Sequence, residues 1–206
     1  MNTIRLTVGP LACNCYLAAD EESGEGVVID PGGDPADIIE TCRTEKLTPR
    51  FIINTHGHAD HIGANAALKR EYPAAELCIG AGDGAMLKQG SVNLSDLLGI
   101  GAASPEPDLL LHEGDEVRFG SCVLRVIETP GHTPGGICLM AEGEQPAVVF
   151  CGDLVFSGGV GRTDLPGGNM AALRRSILER IFTLPGDTIL LPGHGEATTV
   201  AAEKRP

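Results

Sequence analysis

The chain has 206 residues, enough for a single domain, 1–206, with a full-sized core. Its 28 acidic side chains against 15 basic ones leave a formal charge of −13, which argues against nucleic acid and anionic membrane as partners, because both need basic patches. Aromatic residues make up only 3% and tryptophan is absent, so the core has to be built from Val, Ile, Leu and Ala.

Ile4 to Val8, Cys13 to Ala19 and Gly26 to Ile29 read as three successive strands, with turns at Gly9-Pro10 and Glu21 to Gly24. Asp34-Pro35 opens a helix, Asp34 as N-cap and Pro35 at the first helical position. Ile38, Ile39 and Cys42 form its apolar stripe, and Pro49 is expected to stop it. Phe51 to Ile53 is a short buried strand, Ile62 to Tyr72 a second helix and Leu77 to Ile79 another strand. Lys88 to Asp108 shows no period and is rich in Gly, Ser and Pro, as functional or simply variable loops are. Five β-like runs follow between Leu109 and Phe150. Met170 to Phe182 reads as a helix with Leu173, Ile177, Leu178 and Ile181 on one face, and Thr188 to Leu191 as a last strand. Each half thus runs from several strands into a helix and one more strand, a weak sign of duplicated halves. The seven cysteines include no C-x-x-C; Cys13 and Cys15 share a strand face and read as buried thiols. With no disulfide framework, no signal-like start and no apolar run near the roughly 18 residues of a membrane span, the expected compartment is the reducing cytosol.

The chemistry concentrates in four short segments, each behind an apolar run: T-H-G-H-A-D-H at Thr55 to His61, P-G-H-T-P-G at Pro130 to Gly135, C-G-D at Cys151 to Asp153 and P-G-H-G at Pro192 to Gly195. Together they hold five of the six histidines and two carboxylates, the donor types that zinc and other divalent transition ions take. His56 and His58, two apart at a strand end, can reach one ion; Asp60 and His61, where the chain turns into a helix, point to a neighbouring position. His132 and His194 each follow a tight Pro-Gly turn, and Asp153 is the natural bridge between two ions. His112, beside Glu113-Gly114-Asp115, reads as a surface residue.

These residues resemble the metallo-β-lactamase superfamily, whose hallmark is H-x-H-x-D-H, and within it the compact form of the glyoxalase II branch, the hydroxyacylglutathione hydrolases. N-C-Y-L at Asn14 to Leu17, V-I-D-P-G-G at Val28 to Gly33 and V-G-R-T-D-L-P-G-G at Val160 to Gly168 extend the likeness along the chain. The resemblance implies an α/β architecture, an αββα sandwich with two divalent metal ions at one edge: zinc, with iron or manganese as alternatives. It implies that His56, His58 and His132 hold the first ion, that Asp60, His61 and His194 hold the second, and that Asp153 bridges them. A metal-activated hydroxide would then attack a small-molecule thioester, S-lactoylglutathione or a relative. Asp60 could also take a proton from the water. Arg162 is the one basic position that matches the family's carboxylate-binding set; the tyrosine two residues on is Asp164 here, and an internal salt bridge from Arg162 to Asp164 or Asp153 is the competing reading. The same motifs resemble the persulfide dioxygenases, which would use one iron on His56, His132 and Asp153. A broad lactonase or esterase and a non-catalytic metal-binding module are further alternatives.

Overall fold

The computed structural model describes residues 1–99 and 104–204. Strands β1 (Asn2–Val8), β2 (Cys13–Ala19) and β3 (Glu25–Ile29) form an antiparallel meander. Helix α1 (Pro35–Thr44) then crosses to β4 (Thr48–Asn54), which pairs parallel to β3. Two short helices, α2 (Ala59–Ile62) and α3 (Asn65–Glu71), lead to β5 (Glu76–Gly80). A 3-10 segment (Ala81–Lys88) and α4 (Ser95–Leu98) precede β6 (Leu109–Leu111), and β5 and β6 both continue the parallel side. The first sheet therefore has the order β1-β2-β3-β4-β5-β6.

The second sheet repeats the plan. Strands β7 (Glu116–Phe119), β8 (Cys122–Glu128), β9 (Ile137–Ala141) and β10 (Val148–Gly152) run antiparallel. A hairpin of β11 (Val155–Phe156) and β12 (Gly159–Val160) follows, then α5 (Met170–Ser176) with a π-helical turn (Ile177–Ile181). Strand β13 (Ile189–Pro192) returns parallel to β10, and β14 (Thr198–Thr199) and α6 (Val200–Glu203) close the chain. The sheet order is β14-β13-β10-β9-β8-β7.

Alternation along the strands sorts side chains into layers. Tyr16, Ala18, Val27 and Ile29 of the first sheet meet Phe119, Leu124, Leu139 and Phe150 of the second. The opposite face of the first sheet, with Cys15, Leu17, Val28 and Ile52, packs on Ile38, Cys42 and Leu68 of α1 and α3. The outer face of the second, with Cys138, Val149 and Leu190, packs on Leu173, Ile177 and Ile181. This is the expected αββα sandwich, and its aliphatic character follows from the composition. All seven cysteines are free thiols, Cys13 and Cys15 buried on one face as expected. No helix among the described residues is long and apolar enough to cross a membrane.

Several local expectations need correction. Asp34 does not cap α1: it is left-handed (φ 46°), and its carboxylate instead accepts the Gly9 N–H at 2.8 Å, tying α1 to the β1–β2 turn. Helix α1 ends at Thr44 through a left-handed Lys46 (φ 54°), with Leu47 N–H returning to the Cys42 carbonyl at 2.8 Å, and Pro49 lies inside β4. The helix expected from Ile62 is split, because the Ala64 N–H bonds the Pro31 carbonyl at 2.8 Å instead of continuing α2. Leu178 is exposed, since the chain widens to a Phe182 N–H to Ile177 carbonyl bond (2.8 Å) and rotates that position off the apolar face. The loop from Lys88 to Asp108 contains α4, and its residues 100–103 lie outside the described residues.

Candidate metal centre

All four chemical segments lie in connections that leave strand ends of the two sheets on one edge of the sandwich. His56 and His58 follow β4, and Asp60 and His61 sit on α2. His132 lies between β8 and β9, Asp153 directly after β10 and His194 after β13. The turn bearing His61 is pinned from below: Asn54 Nδ2 donates to the His61 carbonyl (2.9 Å) and Asn65 Nδ2 to Asn54 Oδ1 (2.8 Å). The turn bearing His194 is pinned across the two sheets. Asn14 Nδ2 (3.0 Å) and the Tyr16 hydroxyl (2.8 Å) both donate to the Pro192 carbonyl, and Asn14 N–H donates to the Gly193 carbonyl (2.7 Å). Gly193 packs so closely that a Cβ there would lie 2.4 Å from Asp153 Oδ1, so this turn admits no side chain.

The structure brings all seven residues together. His58 Nδ1 and His132 Nε2 are 2.9 Å apart, and the rings of His56 and His132 lie 4.8 Å apart. His132 Nε2 is 3.6 Å from Asp153 Oδ2. On the other side, His61 Nε2 lies 3.5 Å from Asp153 Oδ1 and 3.8 Å from Asp60 Oδ2, and His194 Nε2 lies 3.2 Å from Asp60 Oδ2. His56, His58 and His132 offer three nitrogens within reach of one ion; His56, His61 and Asp153 offer a second such group. Asp153 faces both halves.

The hydrogen bonds around the site turn the rings. His61 Nδ1 is 3.1 Å from Asp30 Oδ2. His56 Nδ1 is 3.2 Å from Thr55 Oγ1, whose hydroxyl donates to Asp30 at 2.7 Å. His132 Nδ1 is 2.7 Å from the Arg162 carbonyl. In each case the outward nitrogen is committed, which directs Nε2 into the site. His56 Nε2, His61 Nε2 and Asp153 Oδ1 are buried without a hydrogen-bond partner among the described residues. Buried polar atoms are normally paired, so this orphaned set fits a divalent cation, and imidazole with carboxylate is the donor chemistry such ions take.

Charge follows the same division. Burial and the neighbouring histidines push His56 well below its ordinary value, and burial, then His132 and His61, push His58 down to about 3, so both rings are neutral, the ligating form. Burial opposes protonation of His61, but Cys13, Asp30 and Asp153 carry it well above its ordinary value. Burial likewise opposes protonation of His194, and the bond to Asp60 raises it. Burial would raise the Asp60 carboxyl, but His61 and His194 hold it below the usual range. Without a cation, this acidic half draws protons onto its imidazoles.

The sequence pattern leaves Asp30, Thr55, Asn14 and Tyr16 without roles, although the motifs V-I-D-P-G-G and N-C-Y-L contain three of them. Arg162 is exposed, and Asp164 grips its guanidinium with two bonds of 2.7 Å. His112 is exposed, away from the other five histidines, as expected.

Three known proteins are similar to this chain. The hydroxyacylglutathione hydrolase GloC of Haemophilus influenzae is 32% identical, over all of this chain and 96% of its own length. The human mitochondrial persulfide dioxygenase ETHE1 is 33% identical over 93% of this chain and 67% of its length. The crystal structure of TTHA1623 in a di-iron-bound form, 37% identical, superposes with a TM-score of 0.83 over 98% of this chain and 97% of that one. The sequence model of the metallo-beta-lactamase superfamily matches residues 8–194, and the chain belongs to that superfamily.

Proposed function

We propose that this protein is a metal-dependent hydrolase that cleaves a thioester, S-lactoylglutathione or a related hydroxyacylglutathione. The observation that carries the reading is the set of inward-facing donors whose outer nitrogens are already committed to Asp30, Thr55 and the Arg162 carbonyl. His56, His58 and His132 would hold one ion, Asp60, His61 and His194 a second, and Asp153, which faces both groups, would be shared. When bound, divalent ions supply Lewis acidity and lower the pKa of a water to about 7. Zinc fits this donor set; the di-iron form of TTHA1623 and the mixed histidine–carboxylate ligation make iron an alternative, with manganese a third.

The chain's own residues complete the chemistry. Asp60, held ionised beside His194, would serve as a ligand and could also accept a proton from the attacking water. A thiolate leaves without strong acid assistance, because the thiol pKa is about 8.5. Arg162, at the chain's turn beside His132, would meet an anionic thiol carrier, in competition with Asp164. GloC supports this substrate class through a match along nearly the whole of both chains.

The second reading is a persulfide dioxygenase, favoured by the likeness to ETHE1 and by the group formed by His56, His132 and Asp153. It leaves Asp60, His61 and His194 without a task, although they are as closely assembled as the rest. The deciding experiment compares zinc-loaded and iron-loaded protein in thioester turnover, in oxygen uptake with glutathione persulfide, and in hydrolysis of a β-lactam or lactone. Zinc-dependent thioester cleavage without oxygen uptake is expected. Activity confined to the iron form and to oxygen would replace the hydrolase reading.

A further inference from the structure

We propose that Asp83 is a positioning residue that sets the separation between the His56–His58 segment and the His132 loop, and so shapes one of the two metal positions. Asp83 lies in the 3-10 segment after β5, on an element that contributes no ligand. Its side chain is fully buried. One carboxylate oxygen accepts the N–H of Gly57, the residue between His56 and His58, at 3.1 Å. The other accepts the N–H of Gly135, three residues beyond His132, at 2.6 Å. A single carboxylate thus joins two loops that come from different sheets.

The His132 loop can transmit this restraint. It is closed on itself by the bonds Gly131 N–H to Thr133 carbonyl (2.9 Å) and Thr129 N–H to Gly136 carbonyl (2.8 Å), so displacing Gly135 displaces the ring-bearing turn. At its far end the Ile137 N–H bonds the Thr55 carbonyl at 2.9 Å. The two segments are therefore joined at two points, a backbone bond behind His56 and the Asp83 carboxylate behind Gly57. The approach is also steric: a Cβ on Gly135 would lie 2.2 Å from the Asp83 nitrogen. Burying a carboxylate is costly, and among the described residues no Lys, Arg or His pairs with Asp83. What offsets that cost is the pair of backbone N–H groups the carboxylate joins.

The inference rests on the metal-binding reading, and the test separates the two. In Asp83→Asn the shape is kept, but one oxygen becomes an amide nitrogen that cannot accept from either loop. Zinc titration against a chromophoric chelator is run on wild type, Asp83→Asn and Asp83→Ala, with metal-free thermal melts and the visible spectrum of the cobalt-substituted forms. Wild type is expected to take up two ions. In both variants one ion should keep its affinity while the other weakens by about ten- to a hundredfold, as for other residues that orient ligands. The cobalt bands should shift. Equal weakening of both ions, or unchanged affinities with only a lower melting temperature, would overturn the proposal. A variant that stays unfolded even with excess zinc would make Asp83 a residue of the fold alone and would also overturn it. Failure of the wild type to bind zinc, cobalt or iron would instead remove the metal reading itself.

Discussion

Asp30 offers a test that separates stability from metal affinity. It is buried and holds Thr55 N–H at 2.7 Å, the Thr55 hydroxyl at 2.7 Å and His61 Nδ1 at 3.1 Å. Asp30→Ala strips all three. The Thr55 hydroxyl can turn to His56 Nδ1, 3.2 Å away, and His61 Nδ1 keeps the Cys13 sulfur at 3.6 Å, but Thr55 N–H stays unpaired. At about 1–3 kcal/mol for a buried donor without a partner, the expected loss is about 1–3 kcal/mol. Against a total of about 5–15 kcal/mol, most molecules would still fold. Asp30→Asn should behave differently. Its oxygen can keep Thr55 N–H, so stability falls less, but its amide nitrogen then faces His61 Nδ1. That nitrogen has to accept, which moves the ring proton to Nε2, the atom facing Asp60 and Asp153. The opposite amide orientation would set two donors against each other at Thr55. Urea denaturation of metal-free protein and zinc competition measure the two effects. Asp30→Asn should lose about ten- to a hundredfold in zinc affinity with the smaller stability loss. Wild-type zinc affinity in Asp30→Asn would refute the tautomer argument, and a loss under about 0.5 kcal/mol in Asp30→Ala would refute the burial argument.

His58→Ala and Asp153→Ala should each nearly abolish hydrolysis while circular dichroism stays native, because both side chains lie in connections beyond the three apolar cores. Collapse of the fold would make the centre structural instead. Arg162→Ala should raise KM for an anionic thioester more than it lowers kcat, the mark of uniform binding, and Asp164→Asn should lower KM by freeing the guanidinium. That gain should be small and salt-sensitive, since exposed pairs are worth about 0–1 kcal/mol; an effect confined to kcat would place Arg162 at the chemistry or in the scaffold. Zinc reconstitution should approach two ions per chain, and a firm plateau at one would sink the two-ion claim. Zinc binding should weaken as pH falls, beginning above the ordinary histidine range. His61 and His194 are raised in the metal-free site, so below their pKa values protons occupy the nitrogens that metal needs. Equal affinity at about pH 8 and about pH 6 would contradict that assignment.

The strands and helices along the chain and the seven-residue cluster were legible because both rest on short-range pattern, whereas the αββα layering was implied by the family resemblance. Apolar runs of strand length ending in Gly or Pro mark where strands stop, and His, Asp and tight turns placed there mark a site at a sheet edge. H-x-H-x-D-H is dense enough to stand out, and it anchors the scattered His132, Asp153 and His194. The positions that orient these groups carried no such signal. Asp30 meets Thr55 and His61 only after β3 and β4 pair, Asp83 reaches Gly57 and Gly135 from a segment with no ligand, and Asn14 finds Pro192 across 178 positions. A single buried carboxylate or amide has no period and no neighbouring repeat, so its partner is set by strand pairing and sheet packing. Asp34 shows the same limit at a helix start, where a long-range bond to Gly9 displaced the local cap. Thus local chemistry chose the donors, and only the docking of two sheets decided how each ring is turned, which carboxylate holds it, and that Asp164 grips Arg162 at the surface.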